Sequence, residues 1–142
     1  MGSVHDGVEE LAAKIAVQDL ASRYAIACDR KDWDAVVGLF TPDGVFDADA
    51  VYGRTMSGSA ELRAFFDGAP VAAGHHPTNV LTTLEDTHRA SAVMKMIVLF
   101  RSGIFSVEYT WRLIRADGEW RIEHQRIGVV GKVALQPAGA TR

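Results

Sequence analysis

The sequence predicts an α+β fold in which three N-terminal helices pack against a mostly antiparallel sheet. Three observations carry this prediction. The first half of the chain is helical in composition and spacing, and residues 79–130 fall into four segments rich in β-branched and aromatic side chains. Turn residues separate these four segments, as expected for strands that follow one another as hairpins.

The helical half contains three predicted helices and one short strand. Residues 8–28 contain neither Gly nor Pro, and Ala is abundant, which favours a helix. Asp32 can cap a second helix at about residues 33–40, and the turn residues 41–44 end it. A short strand is predicted at 45–47, and Ser59 can cap a third helix over 60–67. The apolar side chains of the first helix recur every three or four residues and predict one buried face: they are Leu11, Ile15, Val17, Leu20, Tyr24, Ala27 and Cys28.

The predicted strands span residues 79–84, 90–100, 104–115 and 119–130. Alternation is clearest in the third strand, where one face carries Phe105, Val107, Tyr109, Trp111 and Leu113. Lys95 and Arg112 are expected on the opposite, outer face. The pattern predicts a sheet with one face covered by the helices and one face in contact with water.

The length and composition of the chain restrict the classes of protein to which it can belong. The chain has 142 residues, the size of one domain, with a core predicted at about residues 8–130 and flexible ends at 1–7 and 134–142. The net charge is −3 with no basic block, which argues against nucleic acid as a partner. The apolar stretches are too short to cross a membrane, no signal peptide is readable, and there is one cysteine, so a cytoplasmic location is expected.

Several segments of the sequence resemble proteins of the SnoaL-like family, within the nuclear-transport-factor-2-like superfamily. Residues 28–34 (CDRKDWD) and 39–46 (LFTPDGVF) are similar to the opening of these proteins. Residues 75–80 (HHPTNV) resemble their entry into the sheet, and residues 117–122 (DGEWRI) resemble their final hairpin. The resemblance implies a cone-shaped fold in which a curved sheet encloses an apolar pocket.

The branch of the family that the sequence resembles most includes scytalone dehydratase and hexachlorocyclohexane dehydrochlorinase. There, an aspartate late in the first helix supports a histidine that removes a proton from the substrate. The resemblance places these roles on Asp29 and His75. It therefore implies a cofactor-independent lyase or isomerase that acts on an apolar, cyclic small molecule, with neither a metal nor an organic cofactor. The sequence itself shows no Gly-rich phosphate loop, no pair of cysteines and no His-Glu-x-x-His motif.

Two departures from scytalone dehydratase leave a second function open. The tyrosine that precedes the aspartate is Cys28 here, and the second histidine of that enzyme would fall near residues 94–96, where no histidine occurs. The alternative is a non-catalytic protein that binds a small molecule, or the small subunit of a ring-hydroxylating oxygenase.

The pocket wall is predicted to be aromatic and rich in methionine. Candidates for contact with a ligand are Tyr24, Phe46, Tyr52, Phe66, Met94, Tyr109, Trp111 and His124. His124 is included because it shares strand parity with Trp120 and Ile122, although the same pattern favours a satisfied core histidine over a ligand contact. Strand alternation lets only one of His75 and His76 point inward. A curved, open sheet in so small a chain leaves a face to bury, so a homo-oligomer, either a dimer or a trimer, is expected.

Overall fold

The computed structural model describes residues 4–70 and 72–135, and this part of the chain contains four helices and six strands. The helices are α1 (Val4–Asp29), α2 (Trp33–Gly38), α3 (Asp49–Tyr52) and α4 (Ser59–Gly68). The strands are β1 (Phe40–Asp47), β2 (Thr55–Ser57), β3 (Gly74–Leu84), β4 (Arg89–Phe100), β5 (Gly103–Ala116) and β6 (Glu119–Ala134). The predicted α+β class is confirmed.

The six strands form one sheet in the order β2-β1-β6-β5-β4-β3. The β1–β6 pair is parallel, and every other neighbouring pair is antiparallel. The sheet curves without closing, and α1 packs against β3 and β6. This arrangement is the predicted cone, with the helices and the curved sheet facing each other across the interior.

The structure has one helix more than the three predicted. The added helix, α3, is a single turn that begins beside Asp47, whose Oδ1 accepts a hydrogen bond from the backbone N–H of Asp49 at 3.2 Å. β1 begins at Phe40 and not at residue 45, because a register irregularity between Phe40 and Val45 accommodates the predicted turn residues inside the strand. Ser59 is the first residue of α4, and the N-cap position belongs to Gly58, which has no side chain to cap the helix.

Both ends of the core extend further than predicted. α1 begins at Val4, before the predicted residue 8, and β6 continues to Ala134, beyond the predicted residue 130. The antiparallel partner of this extension is the start of β5, where Gly103 lies opposite Ala134. The remaining end residues, 1–3 and 136–142, lie outside the part of the chain that the structure describes.

The single apolar face predicted for α1 is wrong at its N-terminal half. Val17 and Tyr24 are buried, whereas Leu11 and Ile15 are 59% and 61% exposed. At about 100° per residue, Ile15 lies about 200° around the helix from Val17, so the two side chains cannot share a face. The buried face of α1 therefore begins at Ala13 and Val17 and continues to Cys28.

The inner face of the sheet carries the centre of the core, and its outer face is polar where predicted. Met94, Trp111 and Ile122 are fully or almost fully buried on three adjacent strands. On the outer face, the Lys95 Nζ lies 2.8 Å from Glu108 Oε2. Among the described residues, no helix is both long enough and apolar enough to span a membrane.

Candidate active site

A cavity of about 330 Å³ opens between the helices and the inner face of the sheet. Most of its lining is aromatic or aliphatic, contributed by all four helices and by strands β1 and β4–β6. The lining side chains that carry a polar atom are few: His75, Ser102, Cys28, Trp33 and three tyrosines. Such a cavity suits a small, largely apolar ligand that a few polar groups orient.

Asp29 and His75, which are 46 residues apart in the sequence, meet at one end of the cavity. Asp29 is the last residue of α1, and the chain turns away after it through Lys31, which has a left-handed φ of 56°. His75 is the second residue of β3. The Nδ1 atom of His75 lies 2.7 Å from Asp29 Oδ1, which is hydrogen-bonding distance.

The Asp29 carboxylate also accepts the backbone N–H of His75. The N–H donor lies 3.0 Å from Oδ1 and 3.1 Å from Oδ2. A negative charge at a helix C-terminus is unfavourable by roughly 0.3–1 kcal/mol, and these bonds offset that cost. Because the carboxylate holds both the backbone and the ring of His75, the imidazole has a fixed position relative to α1.

This geometry also fixes which ring nitrogen of His75 carries the proton. An ionised carboxylate can only accept, so Nδ1 must donate its hydrogen to Asp29. The Nε2 atom of the neutral ring then keeps its lone pair. His75 lines the cavity whereas Asp29 does not, so the imidazole is the member of the pair that meets a bound molecule.

Five of the eight predicted ligand-contact residues line the cavity: Tyr24, Phe46, Tyr52, Phe66 and Tyr109. Sequence reasoning missed other lining residues, which are Trp33, Phe65, Phe100, Ser102, Phe105 and several aliphatic side chains. Phe65 lies next to Phe66 in α4, and this neighbouring aromatic residue was the sequence feature that could have identified it as part of the lining. Phe100 and Phe105 flank the β4–β5 turn and meet edge-on, with ring centroids 5.3 Å apart.

Phe66 lies at the centre of a cluster of aromatic rings on one side of the cavity. Trp33 and Phe46 stack on it, with centroid distances of 5.8 and 5.9 Å and interplanar angles of 16° and 20°. Phe65 and Tyr24 meet it edge-on at 5.3 and 6.4 Å. Both arrangements are favourable for aromatic pairs, so the cluster gives the cavity a rigid wall.

Met94 and Trp111 differ from the expectation that they contact a ligand. Both are completely buried, on the inner face of β4 and β5, but neither lines the cavity. Tyr24 of α1 covers Trp111, since the two rings lie edge-on with a centroid distance of 6.1 Å. Strand parity predicted the inward direction of both side chains correctly.

His124 also lies outside the cavity lining, because a bulge interrupts β6. Ile122 pairs with Leu113, but His124 pairs with Arg112, which leaves Glu123 as the extra residue. The inside–outside alternation of β6 reverses at this point, so His124 shares the outer face of the sheet with Arg112. Burial, together with Arg112 alongside, lowers the pKa of His124 below its ordinary value. His76, the neighbour of His75, is exposed.

The same bulge brings Gln125 into the core, a residue that sequence reasoning missed. Gln125 is completely buried and pairs with Trp111 across the β5–β6 ladder. Its side chain accepts a hydrogen bond from Trp111 Nε1 at 2.8 Å and donates one to the Tyr24 hydroxyl at 3.1 Å. Nothing in residues 123–126, which are all polar, indicates which of them points inward.

Cys28 lines the cavity beside Tyr24, and burial raises the pKa of its thiol to about 12. At pH 8 only about one thiol in 10⁴ is then ionised, and the thiolate is the reactive form. We therefore expect iodoacetamide to leave Cys28 unmodified in the folded protein at pH 8 and to alkylate it promptly in urea. Mass spectrometry of the two samples measures this difference, and equal rates of alkylation would contradict the burial of the thiol.

No three His, Cys, Asp or Glu side chains within residues 4–70 and 72–135 are arranged to hold a metal ion. The polar groups at the described cavity are the ring of His75, which Asp29 holds, the tyrosine hydroxyls, Ser102, the Trp33 indole N–H and the Cys28 thiol.

Comparison with known proteins places this geometry in a family. A model of the SnoaL-like domain matches residues 9–126. None of the curated proteins matches the chain.

Several solved structures share the fold. A hexachlorocyclohexane dehydrochlorinase, LinA-type3, from Novosphingobium barchaimii LL02 is 18% identical with a TM-score of 0.80, over 96% of this chain and 97% of that one. A candidate scytalone dehydratase from Novosphingobium aromaticivorans DSM 12444 is 16% identical with a TM-score of 0.75, over 96% of this chain and 99% of that one. A candidate aromatic ring hydroxylase from Novosphingobium aromaticivorans is 24% identical with a TM-score of 0.76, over 88% of this chain and 94% of that one. The fold is that of these proteins, and the match over residues 9–126 shows that the chain belongs to the SnoaL-like family.

Proposed function

We propose that this protein is a cofactor-independent lyase or isomerase that removes a proton from an apolar, cyclic small molecule, with His75 as the general base. The observation that carries the proposal is the hydrogen bond of 2.7 Å between His75 Nδ1 and Asp29, made by a histidine that lines an apolar cavity. Asp29 is the positioning residue for that base.

In the proposed reaction, the Nε2 lone pair of His75 takes a proton from a carbon atom of the substrate. The electron pair of the C–H bond becomes a double bond, and either a leaving group departs or a neighbouring carbonyl accepts the charge. The Asp29 carboxylate stabilises the imidazolium that forms. His75 then returns the proton to another carbon in an isomerisation, or passes it to the leaving group or to water in an elimination.

The apolar wall supports this chemistry in two ways. It binds the hydrocarbon part of a substrate by burying apolar surface. It also keeps water away from the charges that develop on the ring of His75 and on the substrate, and electrostatic interactions are stronger in such an environment. Two of the structural neighbours are named as a dehydrochlorinase and as a candidate dehydratase, and both names describe eliminations.

Proton transfer can be tested without the natural substrate. We expect the protein to catalyse the exchange of the α-hydrogens of the cyclic ketone 1-tetralone in D₂O, followed by ¹H NMR. His75→Ala should reduce the rate of exchange by about 10²- to 10⁴-fold, the usual contribution of a general base. The melting temperature of that variant should stay close to that of the parent, since the ring of His75 lies against an open cavity.

His76→Ala is the matched control, because it removes the adjacent, exposed imidazole and should leave the exchange unchanged. An equal loss in both variants, or full exchange in His75→Ala, would show that His75 is not the base. Release of chloride from hexachlorocyclohexane, measured on the parent, His75→Ala and His76→Ala proteins, tests whether the proton transfer leads to an elimination.

A second candidate function is a non-catalytic one, as a binder of small molecules or a small subunit of a ring-hydroxylating oxygenase. The observation that favours it is the absence of a histidine on the inner face of β4, where residues 94–96 include two buried methionines. The structural neighbour named as a candidate aromatic ring hydroxylase also supports this second function. Binding of 1-tetralone with neither exchange nor chloride release, together with co-purification of a large iron-containing subunit, would favour this function.

A further inference from the structure

One row of paired residues crosses the inner face of the sheet from the candidate base to a lysine. His75 of β3 pairs with Val98 of β4, and Val98 pairs with Phe105 of β5. These three side chains line the cavity. Phe105 in turn pairs with Lys132 of β6. Paired residues project from the same face of a sheet, so Lys132 lies on the cavity side, about 14 Å from His75 measured along the sheet as three strand spacings.

A second bulge in β6 turns Lys132 to the cavity side. Val129 lines the cavity, so an unbroken alternation would place Gly131 inside and Lys132 outside. However, Val129 and Gly131 pair with consecutive residues of β5, which leaves Val130 as an extra residue. The alternation reverses there, and Lys132 comes to face inward. Bulges beside binding sites are known to redirect a side chain in this way.

The Lys132 ammonium lies over a ring of the cavity wall and has no negative partner. Its Nζ is 5.1 Å from the centroid of the Phe105 ring, a cation–π contact that leaves the N–H groups able to donate to another acceptor. No carboxylate within residues 4–70 and 72–135 forms an ion pair with it. By contrast, Lys95 on the outer face is paired with Glu108. Lys132 is exposed, so its charge lies at the rim of the cavity.

The cavity beside this ammonium presents no negative charge of its own. Among the described residues that line it, none is an Asp or a Glu. The nearest carboxylate in the site, Asp29, holds His75 from outside the lining. An anion at the rim would therefore be attracted by Lys132 without repulsion from the wall, and the low dielectric of an apolar wall strengthens that attraction.

We propose that Lys132 forms an anion-binding subsite at the rim of the cavity, and that the substrate carries a carboxylate at the end of its apolar body away from the carbon that His75 deprotonates. The proposal rests on the proposed function and narrows it to amphipathic substrates. The hydrocarbon body fills the cavity, while the carboxylate stays at the rim, where a flexible, hydrated ammonium suits a partner that is partly in water. Lys132 determines specificity and does not touch the reacting atoms.

The test compares two ligands of the same shape, 1-tetralone-6-carboxylate and 1-tetralone-6-carboxamide, by isothermal titration calorimetry. Lys132→Met should weaken the binding of the carboxylate by about three- to tenfold, between the effects of an exposed ion pair and of a hydrogen bond to a charged group. It should change the binding of the carboxamide by less than about twofold. Raising the salt concentration should reduce the preference of the parent protein for the carboxylate.

Lys95→Met is the matched control, because it removes the same charge from the opposite face of the sheet. It should leave both affinities close to those of the parent, and Lys132→Arg should keep most of the preference for the carboxylate. Equal affinities of the parent for the two ligands would overturn the proposal. So would an equal loss of carboxylate binding in Lys95→Met and Lys132→Met, which would show an effect of net charge alone.

Failure of this proposal is distinguishable from failure of the proposed function. Binding does not require proton transfer, so His75→Ala should keep the preference for the carboxylate while it loses exchange. A parent protein that exchanges the α-hydrogens of 1-tetralone but binds the carboxylate and the carboxamide equally would overturn the role of Lys132 alone.

Discussion

Replacing Asp29 by asparagine should reduce proton transfer by roughly 10²- to 10⁴-fold, because the amide carries no negative charge to stabilise the imidazolium form of His75. The Asp29 carboxylate accepts the ring Nδ1–H of His75 at Oδ1 and shares the backbone N–H of His75 between both oxygens. An asparagine has one oxygen and one NH₂ group in the same place. Where the NH₂ group takes the Oδ1 position, it faces ring Nδ1 and donates to it. The hydrogen of the imidazole then sits on Nε2, which can no longer accept a proton.

The measurement is again exchange of 1-tetralone in D₂O, with Asp43→Asn as the control. Asp43 is an exposed carboxylate in β1, outside the cavity lining, so its conversion to the amide should leave the rate unchanged. Exchange in Asp29→Asn at the parental rate would contradict the role assigned to the pair. ¹⁵N NMR of the histidine ring gives an independent check, since it reports which nitrogen carries the hydrogen.

Replacing Phe66 by alanine should lower the free energy of unfolding by about 3 to 5 kcal/mol, the range for loss of a buried phenylalanine. Phe66 is 5% exposed and contacts four other rings, two of them by stacking. Its removal extends the existing cavity through the centre of the cluster. For a chain of this size the melting temperature should fall by about 10 to 20 °C.

Phe66→Leu separates the loss of volume from the loss of ring contacts. Leucine restores most of the apolar volume, so this variant should lose no more than about half as much free energy as Phe66→Ala. Unfolding in urea, followed by circular dichroism, measures both variants against the parent. A loss under about 1 kcal/mol for Phe66→Ala would show that the rings do not support the fold.

Sequence patterns predicted those elements in which burial alone decides the direction of each side chain. The alternation of β5 placed Val107, Tyr109 and Trp111 on the inner face, because this strand packs on one side and meets water on the other. The chain ends and the short elements were harder to predict. α3 has four residues and no buried side chain, so its sequence carries little periodicity to detect.

The candidate site was predicted unevenly, and the reasons are physical. The family resemblance pointed to Asp29 and His75, which lie in contact across 46 residues of chain, a distance that no local pattern spans. His124 was misassigned and Gln125 was missed, because residue-by-residue alternation assumes an unbroken ladder and one extra residue reverses it. Trp111 was predicted correctly on the inner face but lies outside the cavity lining, because the sequence does not show that Tyr24 of α1 covers it.

The bulge at Glu123 also limits how this protein can change in length over evolution. At Glu123, β6 carries one residue more than the stretch of β5 opposite it. Loss of the Glu123 codon would therefore close the bulge and leave Gln125 opposite Trp111, whereas loss of the Gln125 codon would put His124 or Arg126 opposite Trp111 in the core. The length of β6 can change at the bulge without reversing which side chains face inward, and at Gln125 it cannot.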